Sequence, residues 1–255
     1  MSTTIARDYE RYRDLTYDGF RELATADGLS RNERVGFPDS YRDGYEAVIY
    51  RDICRKLTNL AAPAQTVFDI GPGCSDLPLL LSDTCEQHSH TLVWCDSAEM
   101  LAHLPDEPHI RKSPGCFPRD SAAIIEEFAG LVDAILVYSM LHYVYVELPI
   151  FAFVDACLSL LAPGGQLLIG DVPNVSKRKR FFASDAGVRC HQAYTGTDDV
   201  PTVAFNALER SKIDDAVVLA VLARARAAGF DAYLLPQSPD LPMANRREDI
   251  LITRP

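Results

Sequence analysis

The segment Thr66–Asp76 has residue types and spacing that could bind a nucleotide-like cofactor. Its first five residues predict a buried parallel strand, and Gly71, Pro72 and Gly73 then form a tight turn that leads into an apolar helix. Glycine accepts positive φ angles and lets the backbone approach a ligand closely. A strand, a glycine turn and a helix start in this order predict a cofactor cradle.

The residue at Asp76 indicates which cofactor the turn would suit. A dinucleotide-binding turn carries glycine at this third position, where it leaves the helix N-terminus free for a pyrophosphate. An aspartate there would repel a pyrophosphate and would favour a ligand with positive charge, such as the sulfonium and ammonium groups of S-adenosylmethionine. The alternative is an ordinary strand–turn–helix connection in which Asp76 caps the helix or is solvated.

A second acidic residue follows the next predicted strand, Thr91–Cys95. Asp96 lies 27 positions after Asp69, and a carboxylate at this strand end can accept hydrogen bonds from both ribose hydroxyls. Asp96 also suits the N-cap of the helix that begins near Ser97, and one carboxylate can fill both roles.

With these motifs in this order, the sequence resembles class I S-adenosylmethionine-dependent methyltransferases over about residues 40 to 255. The matching segments are the first motif, the end of the ribose-binding strand, and the fourth and fifth strands: Val67–Leu77, Val93–Leu101, Asp133–Val144 and Leu160–Asp171. The resemblance implies a Rossmann-like α/β fold and S-adenosylmethionine as cofactor. It also implies a seven-stranded sheet with a C-terminal antiparallel hairpin and helices on both faces.

The resemblance also implies which residues contact the cofactor. Its amino-acid end would lie near the glycine turn and its ribose near the end of the second strand, while its adenine would lie against the loop after the third strand. These residues are Asp69, Gly71, Pro72, Gly73, Asp76, Asp96, Ser97, Gly115, Cys116, Phe117 and Tyr138.

The order of predicted elements supports the same fold. Strands are predicted near residues 66–70, 91–95, 108–112, 132–137 and 166–170, with helices between them, which requires a parallel sheet. A helix over Ala216–Ala228 precedes two final strands at 231–235 and 249–253. Residues 1–40 are interpreted as a helical lid or extension, and residues 41–255, starting with a helix over 41–60, as the methyltransferase domain.

A long segment after the fifth strand, about residues 173–203, is predicted to be a substrate-binding insertion, because ligands bind at the carboxyl ends of such strands. With the upstream Gly36–Arg42 segment it looks like a methyltransferase subgroup of sugar and polysaccharide pathways. The basic run Lys177–Arg180 would then hold the phosphate of a phosphate-linked or nucleotide sugar, although a solvated surface run is the simpler interpretation. The predicted substrate-binding residues are Phe37, Tyr41, Arg42, Asn174, Lys177, Arg178 and Arg180.

Methylation of a hydroxyl requires removal of its proton, and histidine is the usual base. His142 is the first candidate because it follows the fourth strand, although a structural histidine at a helix start is equally consistent with the sequence. His191 in the long segment is the second candidate. Asp171, at the end of the fifth strand, is the third, either as the base or as the group that orients a histidine.

Composition excludes several classes of protein. The net charge of −11 argues against a nucleic-acid substrate, and no apolar run is long enough to cross a membrane. Seven unpaired cysteines favour a reducing cytoplasm, and the N-terminus lacks an apolar signal region. Cys85, His88 and His90 are close in sequence, but no second cluster completes a metal site, so we expect none. A homodimer is consistent with these features.

Three functions therefore remain open from the sequence. The first is an O-methyltransferase for a sugar or related polyol. The second is an O- or N-methyltransferase for an aromatic or polyketide metabolite, which would need an apolar acceptor pocket. The third is a different class, either a cofactor-binding protein without transfer activity or an NAD-dependent oxidoreductase, and Asp76 argues against the oxidoreductase.

Overall fold

A single seven-stranded sheet organises the chain in the computed structural model, which describes Tyr12 and residues 15–255 except the side chains of Ser40 and Tyr41. The strands are β1 Thr66–Ile70, β2 Thr91–Asp96, β3 Ile110–Pro114, β4 Val132–Tyr138, β5 Leu161–Pro173, β6 Asp231–Pro236 and β7 Arg247–Thr253. Their order is β3-β2-β1-β4-β5-β7-β6. The first five strands are parallel, and β7 runs antiparallel to both β5 and β6. The predicted sheet and its C-terminal hairpin are confirmed.

Twelve α-helices accompany these strands in the described residues. They are α1 Tyr17–Thr25, α2 Arg31–Arg34, α3 Asp39–Arg42, α4 Glu46–Lys56, α5 Leu77–Gln87, α6 Ala98–Leu101, α7 Ala122–Glu127, α8 Leu141–Glu147, α9 Ile150–Leu160, α10 Val175–Phe182, α11 Asp185–Thr195 and α12 Asp215–Ala227. None of the helices in this part of the chain is both long and apolar enough to cross a membrane. Asp214 caps α12 by accepting a hydrogen bond from the Val217 amide, and Gly229, at φ +92°, follows its end.

The core has one layer on each face of the sheet, because successive strand residues point to opposite faces. In β1, Phe68 contributes to the layer under α9 and α12, whereas its neighbour Val67 contributes to the layer under α4 and α5. Trp94 is fully buried in the second layer. Both faces of β1, β2 and β4 are therefore covered, which explains their nearly continuous apolar sequences, whereas the edge strand β3 is polar and partly exposed.

Two segments differ from the elements predicted by the sequence. The single helix expected over residues 41–60 is divided, because Gly44 adopts φ +81° between α3 and α4 and a 3-10 turn, Thr58–Ala61, follows α4. The segment 173–203 is largely helical, since α10 and α11 occupy residues 175–195. Asn174 is the N-cap of α10 and accepts hydrogen bonds from the amides of Ser176 and Lys177. From the sequence, Asn174 and the basic run after it were assigned to substrate binding, and this cap was not predicted.

A buried ion pair ties α4 to the C-terminal hairpin. The Lys56 Nζ lies 2.5 Å from Asp52 Oδ2 and 2.6 Å from Asp249 Oδ2, and all three side chains are at most 12% exposed. Burial raises the pKa of Asp249 above its ordinary value even though Lys56 lies beside it. Among the described residues, Lys56 is the only cation that donates hydrogen bonds to these two carboxylates.

We expect Lys56→Met to lower the free energy of unfolding by about 3–5 kcal/mol, because it leaves two buried carboxylates without a cation. Denaturant unfolding at pH 8 measures this loss. The loss should shrink at pH 5, since a carboxyl with a raised folded-state pKa binds a proton more readily in the folded than in the unfolded protein. Arg111→Met, which breaks an exposed pair with Glu127, should change stability by less than about 1 kcal/mol. Equal effects of the two substitutions would contradict this account.

Candidate active site

The turn after β1 requires glycine at both of its glycine positions. Gly71 and Gly73 have φ angles of +73° and +66°, in the left-handed region. A side chain at Gly71 would collide with Met140, and a Cβ at Gly73 would lie 2.6 Å from a methyl carbon of Val35. The Gly71 amide donates to the Cys95 carbonyl at 2.8 Å, so the turn is fastened to the end of β2.

Asp96 fixes the other half of the turn. Its Oδ2 accepts a hydrogen bond from the Gly73 amide at 3.0 Å, and its Oδ1 accepts one from the Ser97 amide at 2.6 Å. Burial raises the pKa of Asp96 to about 6, against the opposing effect of these two amides. Asp96 also lines a cleft at this edge of the sheet, so the carboxylate that holds the turn is positioned to contact a bound ligand.

Asp69 is the second acid at this edge of the sheet, and it is buried, whereas Asp96 is half-buried. Asp69 is 3% exposed, lines the same cleft, and accepts no side-chain hydrogen bond from the described residues. Burial, and then the nearby Asp96, raise the pKa of its carboxyl well above the ordinary value. A cationic ligand group beside Asp69 would offset the free-energy cost of burying the ionised carboxylate.

These residues lie along an open cleft at the carboxyl ends of the parallel strands, around the point where the strand order reverses between β1 and β4. Its lining is mainly apolar and aromatic, with Phe20, Phe37, Phe117, Tyr138 and Tyr143 among the walls. The charged residues that line it are Asp69, Asp96, Glu147 and Arg42. Three carboxylates against one guanidinium favour a cationic ligand over a pyrophosphate.

The described part of the N-terminal region forms one wall of this cleft. Tyr17 and Phe20 of α1 line it, and the Phe20 ring meets the Tyr143 ring edge-on with centroids 4.8 Å apart. The Tyr17 amide donates to Glu147 Oε2 at 2.8 Å, and Arg21 pairs with Glu99 at 2.7 Å. From the sequence we interpret residues 1–40 as a helical lid or extension. Within that range, residues 1–11, 13 and 14 lie outside the described residues.

Most of the predicted cofactor residues line the cleft, namely Asp69, Gly71, Pro72, Gly73, Asp96, Gly115, Cys116, Phe117 and Tyr138. Two others lie outside its lining. Asp76 is exposed and forms an ion pair with Arg31 at 2.5 Å, so its negative charge is balanced by a residue outside the cleft lining. Ser97 begins α6, where its hydroxyl accepts a hydrogen bond from the Met100 amide.

Two of the predicted base candidates lie away from the cleft lining. His142 has a buried Nδ1 without a hydrogen-bond partner among the described residues. Burial, followed by the charges of Arg247 and Lys212, lowers its pKa to about 3. His191 lies on α11, with its ring edge-on to that of Phe182.

Asp171, the third base candidate, lines a small second cavity next to the cleft, and Phe37, Arg42 and Tyr138 line both spaces. Ser139 lines the main cleft, and its Oγ donates to Asp171 Oδ2 at 2.5 Å. The backbone of Ser139 and that of Asp171 both adopt the left-handed conformation, with φ angles of +56° and +58°. Sequence analysis missed Ser139, Met140 and Glu147, because a site residue in the loop and helix after β4 has no sequence signature of its own.

The predicted substrate-binding residues separate into two groups. Phe37 and Arg42 line the cleft, and the side chain of Tyr41 lies outside the described residues. Asn174 and the basic run lie elsewhere and have intramolecular partners. Arg178 pairs with Glu209 at 2.7 Å and Arg180 with Asp215 at 2.5 Å, while the Lys177 Nζ donates to the Arg247 carbonyl.

The sequence matches no protein-family model and no curated protein at a significant level. The fold, in contrast, is similar to those of many solved structures. One is the N-methyltransferase NodS from Bradyrhizobium japonicum, in complex with S-adenosylhomocysteine. It is 15% identical, with 95% of this chain and 100% of that chain covered and a TM-score of 0.55.

Two further structures show the same similarity. The plantazolicin methyltransferase BpumL, bound to a monoazolic desmethylPZN analogue and S-adenosylhomocysteine, is 11% identical, with 97% of this chain and 99% of that chain covered and a TM-score of 0.56. A methyltransferase described as putative, from Haloferax volcanii and in complex with the activator Trm112, is 14% identical, with coverages of 92% and 96% and a TM-score of 0.54. The chain therefore has the Rossmann-like fold of class I S-adenosylmethionine-dependent methyltransferases.

Proposed function

We propose that the protein is an enzyme that transfers a methyl group from S-adenosylmethionine to a small-molecule acceptor. The observation that carries the proposal is the pair of cleft-lining carboxylates, the buried Asp69 and the half-buried Asp96, beside a turn that has room only for glycine. This cradle suits a ligand that carries an amino group and ribose hydroxyls. The similarity of the fold to methyltransferases that bind S-adenosylhomocysteine supports the same conclusion.

An aromatic or polyketide metabolite is the acceptor class that the cleft favours. Phe20, Phe37 and Tyr143 supply an apolar surface next to the residues at the end of β4. Such walls bury flat apolar molecules well. The basic run that suggested a phosphate-linked sugar is engaged in its own ion pairs outside the cleft lining, and so gives no support to that acceptor.

In this reaction S-adenosylmethionine supplies an already electrophilic methyl group on a sulfonium, and the protein positions the reactants. The glycine turn and Asp96 hold the cofactor, and the aromatic walls exclude water and orient the acceptor. Asp171 is the base candidate in best contact with the cleft, because Ser139 lines the cleft and donates its hydroxyl hydrogen to that carboxylate. A proton released by an acceptor hydroxyl can pass to Ser139 as Ser139 passes its own to Asp171.

Calorimetric titration with S-adenosylhomocysteine tests the cofactor directly. We expect micromolar binding or better, and no binding of NAD in a parallel run. Asp96→Ala should weaken binding about 10- to 100-fold, because it removes a charged acceptor for ribose hydroxyls and frees the Gly73 amide. Asp76→Ala is the matched control and should leave the affinity within about twofold, since Asp76 lies outside the cleft lining. Failure of the native protein to bind would reject the proposed function.

Binding of S-adenosylhomocysteine should also weaken as the pH falls below about 6. The pKa of Asp96 is raised to about 6 by burial, and protonation removes the charge that the ligand requires. Titrations from pH 8 to pH 5 measure this change, and Asp96→Asn should remove the part of it that Asp96 causes. An affinity that stays constant down to pH 5 would contradict a role for the ionised carboxylate.

His142 should remain neutral throughout the pH range in which the protein works. Its pKa of about 3 results mainly from burial, so its ring is not an effective proton acceptor near neutrality. Proton NMR of the imidazole resonances, assigned by comparison with His142→Gln, should show no titration of His142 between pH 5 and 8. A titration midpoint between 6 and 7 would restore His142 as the first base candidate.

A further inference from the structure

Arg42 is a buried cation with no hydrogen bond to the residues that the structure describes. It is 6% exposed, and its buried Nε has no partner among those residues. It lines both the main cleft and the small cavity beside it. A buried guanidinium without acceptors is unfavourable unless another group satisfies it, so this arrangement calls for a ligand.

The neighbouring acid, Asp171, already has its partners. Its Oδ2 accepts hydrogen bonds from Ser139 and from Arg247 Nη1, at 2.5 and 2.9 Å, and its Oδ1 accepts one from Gln237 at 3.3 Å. Arg42 Nη1 is 4.0 Å from Oδ2, outside hydrogen-bond distance. Asp171 is therefore hydrogen-bonded to Arg247, whereas its ion pair with Arg42 is longer and includes no hydrogen bond.

Two aromatic rings contact the Arg42 guanidinium. Its central carbon lies 4.7 Å from the Phe37 ring centroid and 5.8 Å from that of Tyr138. Such rings stabilise a cation but accept no strong hydrogen bond, so the N–H groups on the guanidinium edge stay available. A planar edge with parallel N–H donors matches a carboxylate, which it can bind through two hydrogen bonds.

The position of Arg42 separates this feature from the acidic end of the cleft. Asp69 and Asp96 lie at the ends of β1 and β2, whereas Arg42 approaches Tyr138 and Asp171, at the ends of β4 and β5. We propose that Arg42 binds a carboxylate of the methyl acceptor, so that the acceptor is an aromatic acid. The inference rests on the proposed function, and it makes Arg42 a residue that determines specificity.

The first experiment uses the native protein saturated with S-adenosylhomocysteine. Four probes, benzoate, phenylacetate, cinnamate and indole-3-acetate, are titrated beside the corresponding uncharged amides by ligand-observed NMR. We expect at least one acid to bind about tenfold or more tightly than its amide, because a charged acceptor strengthens the hydrogen bonds of the guanidinium. A panel in which no acid binds more tightly than its amide would overturn the proposal.

Three variants assign this preference to Arg42. Arg42→Met should abolish it, and Arg42→Lys should retain part of it, because a lysine keeps the charge but not the planar pair of donors. Arg119→Met is the control, since Arg119 is an exposed cation near the Tyr17 ring outside the cleft lining, and its loss should leave the preference unchanged. If Arg42→Met does not fold, Arg42→Lys and the comparison of acid with amide on native protein still decide the matter. A preference that survives both Arg42 substitutions would refute the role of Arg42.

A second arm identifies the source of the carboxylate, because S-adenosylhomocysteine carries one of its own. S-adenosylhomocysteine and its decarboxylated analogue are titrated into native protein and Arg42→Met. We expect the substitution to change both affinities by a similar factor. A loss of about tenfold or more for S-adenosylhomocysteine alone would assign Arg42 to the cofactor and overturn the acceptor proposal. If the native protein binds neither nucleoside, the proposed function fails, and the acid and amide panel on ligand-free protein tests Arg42 separately.

Discussion

The hydrogen bonds that fasten the glycine turn to the end of β2 are the interaction on which the site depends. Gly71 donates to a carbonyl of β2, and Gly73 donates to the carboxylate of Asp96. Because β1 and β2 are paired in parallel register, these bonds place the turn and the acid at one fixed separation. The same carboxylate holds the turn and faces the cleft, so a change in its charge acts on structure and binding together.

The sequence predicted the sheet well because its signals are local. Apolar strands, glycine turns and the helix before Gly229 each depend on neighbouring residues, and their observed limits differ from the predicted ones by a few residues. The C-terminal hairpin was predictable because the connection between its two strands is too short to contain a crossover helix. The break at Gly44 was missed, although Asp43-Gly44 is a turn-favouring pair, because the residues on both sides of it form helices and the expected helix was extended across it.

The candidate site likewise includes residues that can be predicted from local sequence and residues that cannot. Asp69, the glycines and Asp96 are predictable, since each lies at the end of a recognisable strand. The partners of long charged side chains are not, because Glu209 and Asp215, which neutralise the basic run, lie about 30 residues further along the chain. Arg42 was identified as a substrate-binding residue from its sequence context, but its unused donors and its two aromatic neighbours are properties of the folded protein alone.

Ser139 and Asp171 face each other across two neighbouring strands, each in a left-handed conformation that residues with a side chain seldom adopt. Such conformations cost about 1–3 kcal/mol each, and Asp171 lies where the register between β5 and β7 shifts. Glycine at either position would relieve the strain but would remove a hydroxyl or a carboxylate from the edge of the cleft. At Asp171 glycine would also deprive the partly buried Arg247 of its carboxylate, so stability alone favours the exchange only at Ser139. A serine that persists at this position among homologues would therefore mark the lineages in which the cleft is still used.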